Sequence, residues 1–473
     1  MTEKVTQLMK DKPAIRWTAL VLLAGAMLFA YIFMDILSPL KDILQTQKGW
    51  DSSAFGRYAG SETFLNVFVF FLIFAGIILD KMGVRFTAIL AGGVMVIGGF
   101  INFYAVSPGF TGSGVERFFT NYLNLPDTGW NITPFTEAMP PSAKLSAIGF
   151  MIFGCGSEMA GITVSRGIVK WFKGHEMALA MGVEMAIARV GVAIVMLGAP
   201  AIAAINPISV SRPVAVALLL LLVGLISFIC YAFMDKKLEK QMGANDEEKD
   251  DPFKVKDIGK ILSSKVFWIV ALLCVLYYSA IFPFQKYAIN MLQCDLGYTA
   301  KQAGLVFFVF PLGAAAITPF LGNFLDKKGK GASMLMFGAL LMIVCHLTFA
   351  FLLPIIKSAI LAYAAIILLG ISFSLVPAAL WPSVPKLIDE KLLGSAYAII
   401  FWIQNIGLYA FPMIIGSLLT STNPGVTDPT KLNYTVPMVM LASLGVLAFI
   451  LGIWLKAEDK KKGYGLEKPN IEK

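Results

Sequence analysis

Runs of about 20 apolar residues recur from one end of the chain to the other, and each is long enough for an α-helix to cross roughly 30 Å of hydrocarbon. Twelve such spans are read, near 17–40, 57–79, 86–106, 144–169, 176–200, 213–234, 266–290, 301–325, 331–353, 357–385, 393–420 and 435–456. Backbone amides in lipid find no water, so a chain with this pattern must satisfy them inside its own helices. An all-α integral membrane protein follows. With 57% hydrophobic and 15% charged residues, lipid is the solvent for most of the chain. The first span is too long for a signal-peptide core and lacks a cleavage site, so it is expected to be retained.

The net charge of +9 could suggest a nucleic-acid partner, but its placement speaks against one. With the N-terminus in the cytoplasm, most of the 39 Lys and Arg fall in cytoplasmic segments, which is the positive-inside pattern. Both termini are therefore expected in the cytoplasm. Cys155, Cys230, Cys274, Cys294 and Cys345 show no paired spacing, and His175 and His346 are the only histidines. No disulfide framework, metal centre or cofactor is expected.

The charged stretch from Asp235 to Lys260 divides six spans from six. It is read as a cytoplasmic linker, giving an N-terminal six-helix bundle over 1–234, a linker over 235–264 and a C-terminal bundle with its tail over 265–473. An internal repeat supports the division. The loop after span 2 reads GIILDKMGVR (Gly76 to Arg85) and the loop after span 8 reads GNFLDKKGK (Gly322 to Lys330), sharing G-x-x-L-D-K-x-G at the same place in each half. Glycine permits the tight turn, the aspartate can accept from free amides at a helix start, and the basic residues hold the loop inside.

These loops resemble the hallmark loop of the major facilitator superfamily. The resemblance implies a fold of twelve transmembrane helices in two pseudo-symmetric six-helix bundles. It also implies a gating role for Asp80, Arg85 and Asp326, which would latch one side of the protein closed.

Ionisable groups at membrane depth cost at least about 2.5–3.5 kcal/mol each, so those present face a cavity, a partner or a solute. Asp35, Glu62, Glu158, Glu184 and Arg189 are such groups. Arg166 is expected to snorkel from a helix end and Glu184 to point away from the face of Arg189. Asp35 and Glu62 lie toward outer helix ends where water can reach them. His346 is expected to be a core histidine. Glu158 and Arg189 flank the turn KWFKGHE almost symmetrically, so an antiparallel hairpin carries them to one depth near the bilayer midplane. The two charges could neutralise one another. They could equally meet the opposite charges of a zwitterionic solute, arginine taking a carboxylate and glutamate an ammonium, and a solute could insert between them.

Proline-interrupted stretches YYSAIFPF (Tyr277 to Phe284) and PAALWP (Pro377 to Pro382), with WIQNIG (Trp402 to Gly407), place aromatic and polar side chains where helices bend. Together with YIFMDILSPL, GCGSEM, MAIARVG and LLGSAYAIIFWIQNIG, they resemble the lysosomal dipeptide uniporter branch of the superfamily. That resemblance implies Glu158 on a peptide amino terminus, Arg189 on its carboxylate, and Trp381, Asn405 and Tyr278 as further contacts. It implies a dipeptide substrate without a cofactor, moved by alternating access as facilitated uniport. The outer loop 107–143 departs from the branch, an accessory subunit is left unassigned, and a bacterial inner membrane is expected in place of the lysosome.

Rival readings are an organic-anion transporter or exchanger with Arg189 as its anion site, a proton-coupled peptide symporter, and a non-transporting membrane sensor. No phosphate-binding loop is present, since Gly329 to Gly331 lacks the following hydroxyl residue. No nucleophile with a base is visible, so an enzyme is not expected.

Overall fold

The computed structural model describes residues 8–128, 133–242, 258–388 and 392–469, and these fold almost entirely as helices. Eleven helices among the described residues are long and apolar enough to cross a membrane. The remaining crossing is span 2, which is present in pieces. It starts at Ser52–Ser61, breaks at Glu62 and Thr63, resumes over Phe64–Phe68, and breaks again before Phe71. Phe70 there takes a left-handed φ of 55°. The end of helix 2 and helix 3 then occupy Phe71–Val106, two helical segments meeting at a sharp kink at Gly83, whose φ of 75° and ψ of 169° suit glycine. Apolar periodicity gave helix 2 as a single run over 57–79. Lateral contacts and local backbone geometry, rather than hydropathy, set its breaks.

The other crossings are helix 1 (Pro13–Met34), helix 4 (Pro141–Phe172), helix 5 (Met177–Ala203) and helix 6 (Ser211–Met242) in the first half. The second half has helix 7 (Lys265–Leu296), helix 8 (Ala300–Phe307 and Val309–Lys328), helix 9 from Gly331–Leu347, helix 10 from Ala359–Leu375, helix 11 (Leu393–Thr422) and helix 12 (Thr435–Lys462). Helices 9 and 10 pass through π-helical turns at Thr348–Leu352 and Val376–Leu380. The second turn contains Pro377, and such a turn re-aims the side chains that follow it, beginning with Trp381.

Twelve crossings return the chain to the side on which it began, here called the terminal side. The described connections at 35–51, 107–128, 133–140, 204–210, 297–299, 357–358 and 423–434 lie on the far side. Toward the far side the two halves meet closely. A β-carbon on Gly56 would lie 2.3 Å from the Pro412 carbonyl oxygen, and one on Gly416 would lie 2.2 Å from that of Ser52, so helices 2 and 11 touch backbone to backbone. Helices 5 and 8 do the same where Gly304 meets the Met196 carbonyl. The loop 107–143 contains a short helix, Gly114–Asn121, tied to the wall of the first half by Lys144 Nζ on the Phe119 carbonyl and by an ion pair between Arg57 and Asp127.

At the terminal side, polar contacts run within each half. Arg166 pairs with Asp80, and Arg85 with Glu239. In the second half the Glu467 carboxylate receives Ser333 Oγ at 2.8 Å, and the Leu466 carbonyl receives the Gly331 amide at 2.9 Å. Helix 6 does not stop where charge begins. Asp235, expected to open the linker, is fully buried inside helix 6 and accepts from Lys170 Nζ at 2.8 Å and from the Trp171 indole at 3.0 Å. A paired charge facing its own bundle is compatible with helix continuation, and hydropathy alone does not register that pairing. Linker residues 243–257 and the tail residues 1–7 lie outside the described residues.

Replacing Asp235 with Ala should therefore lower stability by about 3–5 kcal/mol, because Lys170 is left without its counter-ion. The measurement is the melting temperature of the purified protein in detergent. A solvated linker residue would leave it unchanged.

Candidate substrate site

Helices 4 and 5 form the antiparallel hairpin that carries Glu158 and Arg189, and each side chain turns to a partner in the second half. The Asn405 side-chain amide of helix 11 lies beside the Glu158 carboxylate. The Arg189 guanidinium lies over the Phe373 ring of helix 10, 4.9 Å from its centroid, and donates from Nη1 to Thr318 Oγ1 of helix 8 at 3.4 Å. Neither group faces lipid, and neither is sealed against the other. A guanidinium on an aromatic face keeps much of its donor fork free, and planar carboxylates are what that fork recognises.

Aromatic side chains line the second-half wall. Trp381, the first residue after the π-helical segment, meets the Tyr278 ring edge to face, 6.5 Å between centroids. Its ring lies 5.1 Å from Phe401 and 5.8 Å from Tyr397, while Tyr278 stacks on Phe282 at 5.3 Å. Phe373 meets both Tyr278 and Phe282 edge to face, which ties the aromatic wall to the ring beneath Arg189. All five residues singled out for binding, Glu158, Arg189, Trp381, Asn405 and Tyr278, are thus brought to one zone between the halves.

Tyr31 of helix 1 completes the zone from the first half. It lies within electrostatic reach of Glu158, Glu184 and Tyr278, and also of Arg189. Glu184, expected to point away, is therefore near the same space. Sequence reasoning passed over Tyr31, Thr318 and Phe373 because each is an ordinary residue for a membrane helix.

The gating residues take different positions. Asp80 and Arg85 form the two ion pairs with Arg166 and Glu239 described above, so Arg166 is a partner of the loop rather than a snorkelling cation. Asp326 lies at the matching place in helix 8, and its loop is backed by the C-terminal segment at Leu466 and Glu467. Asp35 is buried at 1% exposure, contrary to the expectation that water reaches it, and it faces Lys286 of helix 7. Lys286 was missed, although an ionisable residue inside an apolar span was itself the signal. His346 is fully buried, with its ring edge-on to Phe284 at 5.3 Å.

A membrane protein of twelve crossings in two six-helix bundles, with charges gathered between them, is a solute transporter by architecture. The Major Facilitator Superfamily model matches residues 23–412 and 285–470, and the chain belongs to that superfamily. Among characterised relatives, it is 30% identical over 285 residues to the lysosomal dipeptide transporter MFSD1 of Danio rerio, covering 58% of this chain and 60% of the relative. It is 29% identical over 287 residues to the Homo sapiens protein of the same name, covering 59% and 60%. The chain thus spans about 60% of the length of these relatives. Among solved structures, a bacterial homologue of the human lysosomal transporter Spinster, inward-facing and unoccupied, aligns with a TM-score of 0.68 at 14% identity, covering 95% of this chain and 98% of that one. The nucleoside transporter NupG gives 0.64 at 12% identity, covering 93% and 99%. These likenesses concern the fold.

Substituting Asn405 by Ala removes the polar group that the second half places beside the Glu158 carboxylate, a loss of about 1–3 kcal/mol. Thermal unfolding without added solute should show the decrease, and the double variant with Glu158→Gln should show less than the sum of the two single effects.

Proposed function

We propose that this protein moves dipeptides across a membrane by alternating access, as a facilitated uniporter that uses no cofactor and catalyses no reaction. The observation that carries the reading is the hairpin of helices 4 and 5, which turns a carboxylate and a guanidinium into the space between the halves with separate partners. A dipeptide presents an ammonium and a carboxylate on a short backbone. Glu158 meets the first by displacing Asn405, and Arg189 meets the second through its free donors, with Phe373 held behind it. Tyr278, Trp381 and Asn405 bound the space left for side chains. Recognition of the two termini alone gives wide tolerance of what lies between them. The relatives named as dipeptide transporters support this substrate class.

In this reading the two six-helix bundles rock about the midplane, joined by the linker that follows helix 6. The halves are in close contact toward the far side, whereas Asp80, Arg85 and their partners hold the first half together at the terminal side. This arrangement is that of a transporter open to the terminal side. The positive-inside distribution supports a cytoplasmic terminal side, and a bacterial inner membrane is the proposed setting.

Thermal-shift screening of the purified protein against dipeptides, single amino acids and simple carboxylates tests the substrate class, because a ligand of the folded form raises the melting point by mass action. Several dipeptides should stabilise the protein, and Arg189→Ala should weaken binding at least about tenfold, or ~1.4 kcal/mol. Glu158→Gln should lose dipeptide binding. Retention of carboxylate transport in that variant, with dipeptides inert in the parent, would assign the site to an organic anion instead. In proteoliposomes a pH gradient without a dipeptide gradient should not concentrate dipeptide, and uphill accumulation would overturn uniport.

A further inference from the structure

Helix 1 stops at Met34, and the chain unwinds through Asp35 before a short 3₁₀ turn at Ser38–Leu40. Asp35 is 1% exposed, and every donor it receives is placed. Ser38 Oγ donates to Oδ1 at 3.0 Å, Gln285 Nε2 to Oδ2 at 2.7 Å, and Lys286 Nζ lies 2.9 Å from Oδ1. Lys286 also donates to the Met34 carbonyl at 2.9 Å and lies over the Phe150 ring at 5.5 Å from its centroid. Glu62, at the first break of helix 2, is a second carboxylate on the same lysine, but at 3.8 Å. The triad spans the halves, with both carboxylates in the first and the ammonium in the second.

It is the innermost member of a polar seam. Helix 7 presents Lys286, Asn290 and Gln293 along one face, and they meet Asp35, Lys41 and Asp42 in turn. Asn290 Oδ1 receives Lys41 Nζ at 3.1 Å, and Gln293 Nε2 donates to Asp42 Oδ2 at 2.9 Å. Separation of the halves on this side breaks every member of the seam. For the outer members water replaces the lost partner. For the triad it exposes two carboxylates and one ammonium that are otherwise enclosed.

We propose that Asp35, Lys286 and Glu62 form the latch that holds the far side shut, and that its unequal charge sets how tightly it closes. Lys286 compensates Asp35 fully and Glu62 only at a distance. When Glu62 is ionised, the closed state carries one excess negative charge in a poorly polarisable place, which favours reopening and hydration. Neutralising Lys286 leaves two enclosed carboxylates without a counter-ion and drives the far side open. Neutralising Glu62 leaves a balanced pair and drives it shut. The two substitutions act in opposite directions, which loss of packing does not produce. The inference rests on the alternating-access reading but not on which solute is carried.

Hydrogen exchange of the full-length protein, followed by mass spectrometry, reads both sides at once. In Lys286→Gln, amides in 35–48 and 285–296 should exchange at least about tenfold faster, while those flanking Gly83 and Gly329 at the terminal side become slower. Glu62→Gln should show the reverse pattern, and it decides the matter alone should Lys286→Gln not fold. The charge exchange Asp35→Lys with Lys286→Asp should return both sides toward the parent. Faster exchange on both sides alike, or a shift in the same direction from the two single variants, overturns the latch. If dipeptide moves the two sides oppositely in the parent while both variants leave exchange unchanged, the latch alone fails. If no condition moves them oppositely, alternating access fails and the latch with it.

Discussion

A charged side chain cannot remain at membrane depth without a partner, and in this protein many of those partners belong to the other half of the chain. Glu158 finds Asn405, Arg189 finds Phe373 and Thr318, and Asp35 finds Lys286 and Gln285. Two bundles that could pack through apolar side chains alone would be indifferent to their relative tilt. Bundles that complete one another's charges are not. The same interactions that make the interior tolerable to lipid make it sensitive to how the halves sit, and to any solute that can stand in for a partner.

Backbone groups obey the same constraint. The breaks in helix 2 free carbonyls and amides that lipid cannot satisfy, and helix 11 supplies a donor for one carbonyl and accepts from a side chain at the first break. The Trp402 indole donates to the Val67 carbonyl at 3.0 Å, and Thr63 Oγ1 donates to the Asn405 carbonyl at 3.4 Å. WIQNIG is therefore a docking edge for a discontinuous helix as well as a source of polar side chains. Close approach of backbones at Gly56 and Gly416 belongs to the same contact, since any side chain there would hold the two helices apart.

Most of the fold was legible because hydropathy reports the number of crossings and a repeated loop reports the symmetry. Helix 2 was not, since a run of apolar residues reads alike whether the helix through it is whole or broken, and the breaks depend on contacts with helix 11. Asp235 was misread for the complementary reason: charge normally signals water, and its partners Lys170 and Trp171 lie more than 60 positions away. At the site, Glu158 and Arg189 were visible because charge in an apolar span is costly wherever it points. Lys286 carried that signal too, but the aromatic run before it drew the reading toward packing. Tyr31, Thr318 and Phe373 carried none, because their importance lies in which charge they face.

Asn405 shows how closely these layers are joined. Its side chain lies beside Glu158 while its carbonyl accepts from Thr63, so one residue of the second half touches both the candidate ammonium site and the break in helix 2. Glu62, the residue preceding Thr63, reaches Lys286. A path of direct contacts thus runs from Glu158 through Asn405 and Thr63 to the buried triad, crossing between the halves twice. Each link is a polar contact with two alternatives, made or broken, rather than a continuously deformable one, and networks of that kind are able to carry coupling between sites. Competition for Glu158 by an ammonium would act on a residue that also holds helix 2 in its broken form. The charge beside the interface and the contacts that fix how the halves sit are therefore contained in the same few side chains.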